Sequence, residues 1–166
     1  MKRRDFIIGI LALAATPLLA SRAKGNTVET SAERKIEKLK LSENEWKQRL
    51  TPQQFHILRD EGTERPHSSP LNREKREGTY ICAGCELPLF TSDMKYDSGT
   101  GWPSFFTTLP SAVETKIDFK LIYPRTEYHC ARCGGHQGHV FKDGPKPTGK
   151  RYCNNGLALK FIPKHS

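Results

Sequence analysis

Two short cysteine pairs constrain this chain more than anything else in it. Cys82-Ala83-Gly84-Cys85 and Cys130-Ala131-Arg132-Cys133 are the same C-x-x-C turn written twice, separated by residues 86–129. A two-residue spacer lets one tight turn present two sulfurs to a single point, and two such turns supply the four thiolates of a tetrahedral Zn²⁺ site. Gly84 and Gly134 ease the backbone round the two turns. Any fold this chain adopts has to bring both knuckles to one place. Two disulfides are the alternative use of four cysteines, and an oxidising compartment would favour them. Two knuckles of matching form are what a metal requires, so one structural zinc is the expectation. Four protein ligands close the tetrahedron and leave no position for catalysis at the metal.

The fifth cysteine stands apart. Cys153 lies in "GKRYCNNGLALKF", Gly149 to Phe161. A cysteine that fills a core has apolar neighbours, whereas this one sits between Arg151-Tyr152 and Asn154-Asn155. In a strand alternate residues share a face, so Arg151, Cys153 and Asn155 are expected to point the same way. A guanidinium beside a thiol favours the thiolate, the nucleophilic form.

The remaining chain frames these motifs. At 166 residues, with 36% hydrophobic and 27% charged residues, it has the make-up of one soluble domain rather than a membrane or disordered protein. The net charge of +9 raises a nucleic-acid reading. About a third of that charge belongs to Met1–Ala23, and the other basic residues gather into no stripe, so a solvated surface is expected and no nucleic-acid partner. "MKRRDFIIGILALAATPLLASRA" has a basic start, an apolar run from Phe6 to Ala20 and small residues at Ser21 and Ala23, the pattern of an export signal. Arg3-Arg4-Asp5-Phe6-Ile7 resembles the twin-arginine motif, so residues 1–23 are read as a signal peptide cleaved after Ala23 and the mature protein as periplasmic. Retention of the same segment as a membrane anchor is the alternative.

Residues 24–41 read as a polar lead-in and 42–166 as the domain. Ser42-Glu43-Asn44-Glu45 and Thr51-Pro52-Gln53-Gln54 are capping boxes, which predict short helices over 43–49 and 52–60. Residues 63–77 read as loop. From Thr79 onward short β-favouring runs (79–81, 116–123 and 157–161), punctuated by Gly, Pro and Asn, predict a mainly β domain of antiparallel sheets. In that texture "DSGTGWPSF" puts Trp102 in a glycine-rich turn, either as a plug or as a flat wall for a small apolar group. "CGGHQGHVFKDGP" sets His136 and His139 directly after the second knuckle. With the zinc satisfied by sulfur, these histidines suit proton transfer.

Taken together, "LTPQQFHILRDEGTERP", "GTYICAGCELPLF", "SGTGWPSF", "CGGHQGHVFKDGP" and "RYCNNGLALKF" resemble the B-type methionine sulfoxide reductases, peptide-methionine (R)-S-oxide reductases, over Trp46 to Phe161. The resemblance implies a zinc-bearing fold of two antiparallel sheets, a β-tent, preceded by helices. It implies Cys153 as the nucleophile that attacks the sulfoxide and Trp102 as the wall for the substrate methyl. His136, His139, Asp143, Arg151 and Asn155 would organise the sulfoxide oxygen, a water and the thiolate. Many members carry a resolving cysteine in the SGxGWPSF turn, where this chain has Thr100. The implied partners are methionine-R-sulfoxide, free or in proteins, and an external thiol or thioredoxin-like reductant, with the domain expected to be a monomer. The competing reading is a zinc-stabilised module that binds through the Trp102 pocket without turnover.

Overall fold

The helix starts form where the capping residues predict. Helix α1 spans Glu43–Arg49 and α2 spans Pro52–Leu58; in each the N-cap hydroxyl accepts from the N3 backbone and the N3 side chain returns to the cap. Helix α2 stops two residues short of the expected 60, because the chain tightens there: Gly62 N–H donates to the His56 carbonyl at 2.9 Å. The computed structural model describes residues 36–119 and 123–164. The expected leader 1–23 and residues 24–35 of the lead-in lie outside the described residues, as do 120–122 within the predicted 116–123 run. Residues 36–41 have no regular structure, yet Ile36, Leu39 and Leu41 pack against the core, and Leu39 N–H donates to the Arg132 carbonyl at 2.7 Å. The predicted loop 63–77 contains one 3₁₀ turn, Pro70–Arg73.

The strands are β1 (Gly78–Cys82), β2 (Pro88–Thr91), β3 (Lys95–Tyr96), β4 (Ser104–Phe105), β5 (Val113–Asp118), β6 (Arg125–Cys130), β7 (His136–Phe141), β8 (Arg151–Asn154) and β9 (Leu159–Pro163). They form two antiparallel sheets, one in the order β2-β1-β9 and the other β3-β4-β8-β7-β6-β5. The mainly β, two-sheet expectation holds. Leu157 and Ala158, predicted as strand, belong to a 3₁₀ turn, Gly156–Ala158. The physical reason is that the chain leaves one sheet at Asn154 and enters the other at Leu159, so the residues between them must turn.

Aromatic rings fill the space between the sheets. Tyr80 of β1 meets Phe105 of β4 edge-on at 5.0 Å between centroids, and Phe90 of β2 stacks on Phe105 at 3.9 Å. All three are fully buried, and Phe90 also meets Tyr128 of β6 and Tyr152 of β8, so Phe105 is one of several rings that join the two sheets. Trp46, Leu50, Ile57 and Leu58 carry the helices onto the same core. Truncating Phe105 to Ala removes both ring contacts and leaves a cavity, for which about 3–5 kcal/mol is expected. Urea denaturation checks it: the midpoint should fall with the slope unchanged.

Candidate active site

The two knuckles close in the same way. In the first, Glu86 N–H donates to the Cys82 carbonyl and Cys82 N–H to the Leu87 carbonyl, each at 2.9 Å. In the second, Gly134 N–H donates to Cys130 and Cys130 N–H to the Gly135 carbonyl, also at 2.9 Å. The residue that turns left-handed is Gly134 in one (φ 67°) and Glu86 in the other (φ 63°), so Gly84 is not the residue that eases the first turn. Gly84 instead lies against Trp46, Leu58 and the Cys133 sulfur. The four sulfurs of Cys82, Cys85, Cys130 and Cys133 are buried and lie within 4.8 Å of one another. Cys82–Cys133 is 3.7 Å and Cys85–Cys130 is 3.4 Å, far from the ~2.05 Å of a disulfide. Sulfurs at ~2.3 Å from one tetrahedral ion are spaced on that scale. The donor set therefore fits a closed metal site, as the paired spacing predicts.

Cys153 lies on β8 between two neighbours. It pairs with Ser104 of β4 on one side and with His139 of β7 on the other. The approach of β7 is possible only because residue 138 is glycine: a Cβ there would come within 1.9 Å of the Cys153 carbonyl oxygen. Around the thiol is a cavity of about 130 Å³ whose walls include Trp102, His139, Cys153 and Asn155 from the predicted set. Thr63, Arg125, Gly138, Phe141 and Asn154 complete it. His136, Asp143 and Arg151 do not line this cavity.

Where these three lie explains the electrostatics. Arg151 donates to both oxygens of Asp143, from Nε and Nη2 at 2.9 Å each. Burial raises the Cys153 thiol above its ordinary range; Arg151 and a hydrogen bond from Thr100 pull it down, and burial wins. Burial is the largest of these effects and the Asp143 carboxylate adds to it, so the protonated thiol is favoured over the thiolate expected from sequence. Thr100 belongs to a run of hydroxyls, with Ser98 Oγ 2.8 Å from Thr100 Oγ1 and 2.7 Å from Ser104 Oγ.

Each histidine is held by a carboxylate. His136 is buried with Nδ1 2.6 Å from Glu127 Oε1, and its Nε2 has no hydrogen-bond partner. Burial pushes Glu127 up, but its bonds to His129 and His136 leave it below the ordinary carboxylate range, so it is ionised and accepts from both rings. His139 Nε2 is 2.7 Å from Asp118 Oδ2, and burial nevertheless lowers its pKa, which keeps the ring neutral. The same carboxylate oxygen accepts from Arg125 Nη2 at 2.7 Å, while Arg125 Nε is buried without a partner. Neither Arg125, Asp118 nor Glu127 was among the residues expected from sequence. For Arg125 and Glu127 a signal was available, because alternate residues of "RTEYHC" share a face and Glu127 and His129 lie opposite the histidines of β7; Asp118, opposite Arg125 on β5, had no such signal.

Glu64, read as loop, proves to be a hub. Its side chain is buried and accepts from the backbone N–H of Gly156 (2.6 Å) and Leu157 (3.1 Å). Its own N–H donates to Asn155 Oδ1 at 3.0 Å, and its carbonyl accepts from Trp102 Nε1 at 3.2 Å. Asn155 also donates from Nδ2 to the Gln137 carbonyl at 3.1 Å, so its amide is spent on holding the chain where β8 ends.

The match to known proteins follows these features. Residues 50–163 match the SelR domain. The chain belongs to the SelR-domain family. Among SelR-domain relatives, the chain is 53% identical over 131 residues to a peptide methionine sulfoxide reductase MsrB of Methanosarcina barkeri, covering 78% of this chain and 90% of that protein. It is 51% identical over 127 residues to the MsrB of Agrobacterium fabrum, covering 76% and 94%. It is 46% identical over 161 residues to the chloroplastic peptide methionine sulfoxide reductase B1 of Arabidopsis thaliana, covering 96% and 77%.

Replacing Glu64 by Gln sets an amide donor against one of the two backbone N–H groups at 156 and 157. About 1–3 kcal/mol of stability should be lost with that unpaired donor. Because Glu64 also carries the Trp102 bond, Trp102 emission should shift; measuring it in a Trp46→Phe background leaves Trp102 as the sole emitter.

Proposed function

We propose that this protein reduces methionine-R-sulfoxide to methionine, free or within a polypeptide, with Cys153 as the nucleophile. The observation that carries this reading is one small cavity that holds a half-buried thiol beside an indole and a neutral, carboxylate-held histidine. At about 130 Å³ it has room for roughly four waters at ~30 Å³ each, which suits a methylsulfinyl end and little more. The names of the relatives agree with this chemistry. A purely binding module has no use for a free thiol at the centre of its pocket.

In the proposed step the Cys153 sulfur attacks the sulfoxide sulfur, the sulfur–oxygen bond to methionine breaks, and the oxygen ends on Cys153 as sulfenic acid. The thiol proton finishes on that oxygen, so cysteine plus sulfoxide gives sulfenic acid plus methionine with no further reactant. His139 faces Cys153 across the strand pair and, being neutral, can take that proton and hand it on. Arg125, on the cavity wall, supplies positive charge for the polarised oxygen; its unpaired Nε is a donor in search of an acceptor. Trp102 walls the methyl side, and a chiral sulfoxide then fits in one hand only. His136 and the Arg151–Asp143 pair act from behind the cavity, on the orientation of His139 and on the charge felt by the sulfur.

Recycling needs a thiol from outside. An external thiol condenses with the sulfenic acid to a mixed disulfide and water, and a second thiol releases Cys153 and leaves as a disulfide. A thioredoxin-like protein or a small thiol can serve. When zinc is bound, Cys82, Cys85, Cys130 and Cys133 hold it, and what it supplies is folding energy rather than reaction chemistry.

Two measurements test this reading. Without reductant, wild-type protein should form about one methionine per chain from the R epimer and none from the S epimer, by the stoichiometry of one sulfenic acid. Cys153→Ser should form none. The single-turnover rate should keep rising with pH past the ordinary thiol range, because burial raises Cys153; a rate flat above neutrality would contradict a protonated resting thiol. Separately, elemental analysis should give one zinc per chain, and Cys130→Ser should lower both zinc content and thermal stability. Fully active, metal-free protein would refute the zinc site.

A further inference from the structure

The cavity at Cys153 is too small for anything beyond the end of a side chain, but it does not stand alone. A second, much larger groove of about 920 Å³ begins where it stops: Thr63 lines both, and Asn155 of the first adjoins Gly156 of the second. The groove runs between α2, the 63–71 loop and the turn that follows β8. Its walls are mainly apolar, with Pro52, Ile57, Pro70, Leu71, Leu157 and Leu159 among them. Leu157 is 38% exposed, one of the few large apolar side chains left open among the described residues.

The loop forming one wall is pinned rather than loose. A Cβ at Gly156 would meet the Ser69 hydroxyl at 1.9 Å, and the Glu64 bonds fix the same loop to Gly156 and Leu157. This wall is therefore built by the same hub that positions Trp102 and Asn155, so groove and reactive cavity keep a fixed relation.

Resting on the reductase reading above, we infer that this groove binds the polypeptide that flanks the oxidised methionine, and that it takes an apolar side chain two residues away from it. Extended backbone supplies the reason for the spacing. Successive side chains of an extended chain point to opposite faces, and each residue advances ~3.3 Å. With the sulfoxide side chain directed into the Cys153 cavity, neighbours at ±1 point away from the protein. The residue at ±2 returns to the same face ~6.6 Å along, where the floor is the groove beyond Thr63. The substrate class is thus an unfolded or flexible segment with a Leu, Ile, Phe or Met two positions from the sulfoxide.

The test compares peptides Ac-Gly-Gly-Met(O)-Gly-Gly-NH₂, all R epimer, with Leu placed singly at −2, −1, +1 or +2, beside N-acetyl-methionine-R-sulfoxide methylamide as the minimal substrate. Leu at one of the ±2 positions should raise kcat/KM about tenfold or more, the effect of burying one such side chain. Leu at ±1 should change it little. In Pro52→Glu, at an exposed wall residue of the groove that opens α2 and lies outside the Glu64 network, that advantage should drop below about threefold while the minimal substrate turns over as in wild type. Equal kcat/KM for all peptides, or a preference at ±1, would overturn the inference with the reductase reading intact. So would a ±2 preference that emerges only after residues 24–35 are removed, since the chain's own lead-in would then be the occupant. Failure of the wild type to reduce even the minimal substrate would overturn the reductase reading, and this inference with it.

Discussion

The convergence of four cysteine sulfurs is the constraint on which the remaining architecture depends. Cys82 ends β1 in the three-stranded sheet and Cys130 ends β6 in the six-stranded sheet, so the cluster ties one sheet to the other at their ends. The elements around it are fitted to it. Arg59, just past α2, donates to the Cys133 carbonyl at 3.0 Å, and Arg132 to the Cys85 carbonyl at 3.2 Å. A domain with this much loop and strands of two to six residues has little sheet to stabilise it, and a metal held by the four thiolates would add its binding energy to folding. The cluster also reaches toward the reactive end. Gln137 Nε2 lies 3.5 Å from the Cys82 sulfur, Asn154 Nδ2 lies 3.4 Å from Gln137 Oε1, and Tyr128 donates to Asn154 Oδ1 at 2.6 Å. All three side chains are fully buried. Asn154, the residue after Cys153, is thus fixed by a polar chain that starts at the cysteine cluster.

Electrostatics at the site is a contest between burial and partners, and the outcome differs from group to group. For Cys153 and His139 burial wins, giving a protonated thiol opposite a neutral imidazole. For Glu127 the partners win, and it stays ionised although enclosed. On the proposed reading this is an acid–base pair poised by environment: the thiol would carry the proton that the reaction needs, and the neutral ring would move it. Arg151 contributes less than its position suggests, because a bidentate carboxylate already occupies it.

The parts of this protein visible in its sequence are those written in local patterns. Capping boxes depend on residues three apart, and both were found where Ser42 and Thr51 place them. Paired knuckles depend on a two-residue spacer, and the four sulfurs do converge. Strand alternation put Arg151 and Cys153 on one face, although 151–154 was not among the runs predicted as strand. What escaped sequence reading depends on long-range contact. Glu64 is unremarkable beside Thr63 and Arg65, and becomes a hub only when the chain at 155–157 folds against it. Arg151 beside Cys153 suggested an activated thiolate; it does pull the thiol down, but burial of the sulfur, which no local pattern shows, outweighs it. The 3₁₀ turn at 156–158 replaced predicted strand because a change of sheet, invisible in propensity, had to be made there.

Thr100 illustrates how one position can serve a site in two exclusive ways. A cysteine there would offer a second sulfur for recycling, but a thiol is a weak hydrogen-bond donor. The hydroxyl that occupies it donates to Cys153 and favours its charged form, backed by Ser98 and Ser104. In the proposed reaction, where burial favours the protonated thiol, that assistance would act on the first step, the attack on the sulfoxide. The second step of the proposed cycle is left to an external thiol, which would reach the partly buried Cys153 through the same open cavity. In that cycle a threonine at this position would therefore assist Cys153 and leave its reduction to an external thiol, both through the same hydroxyl.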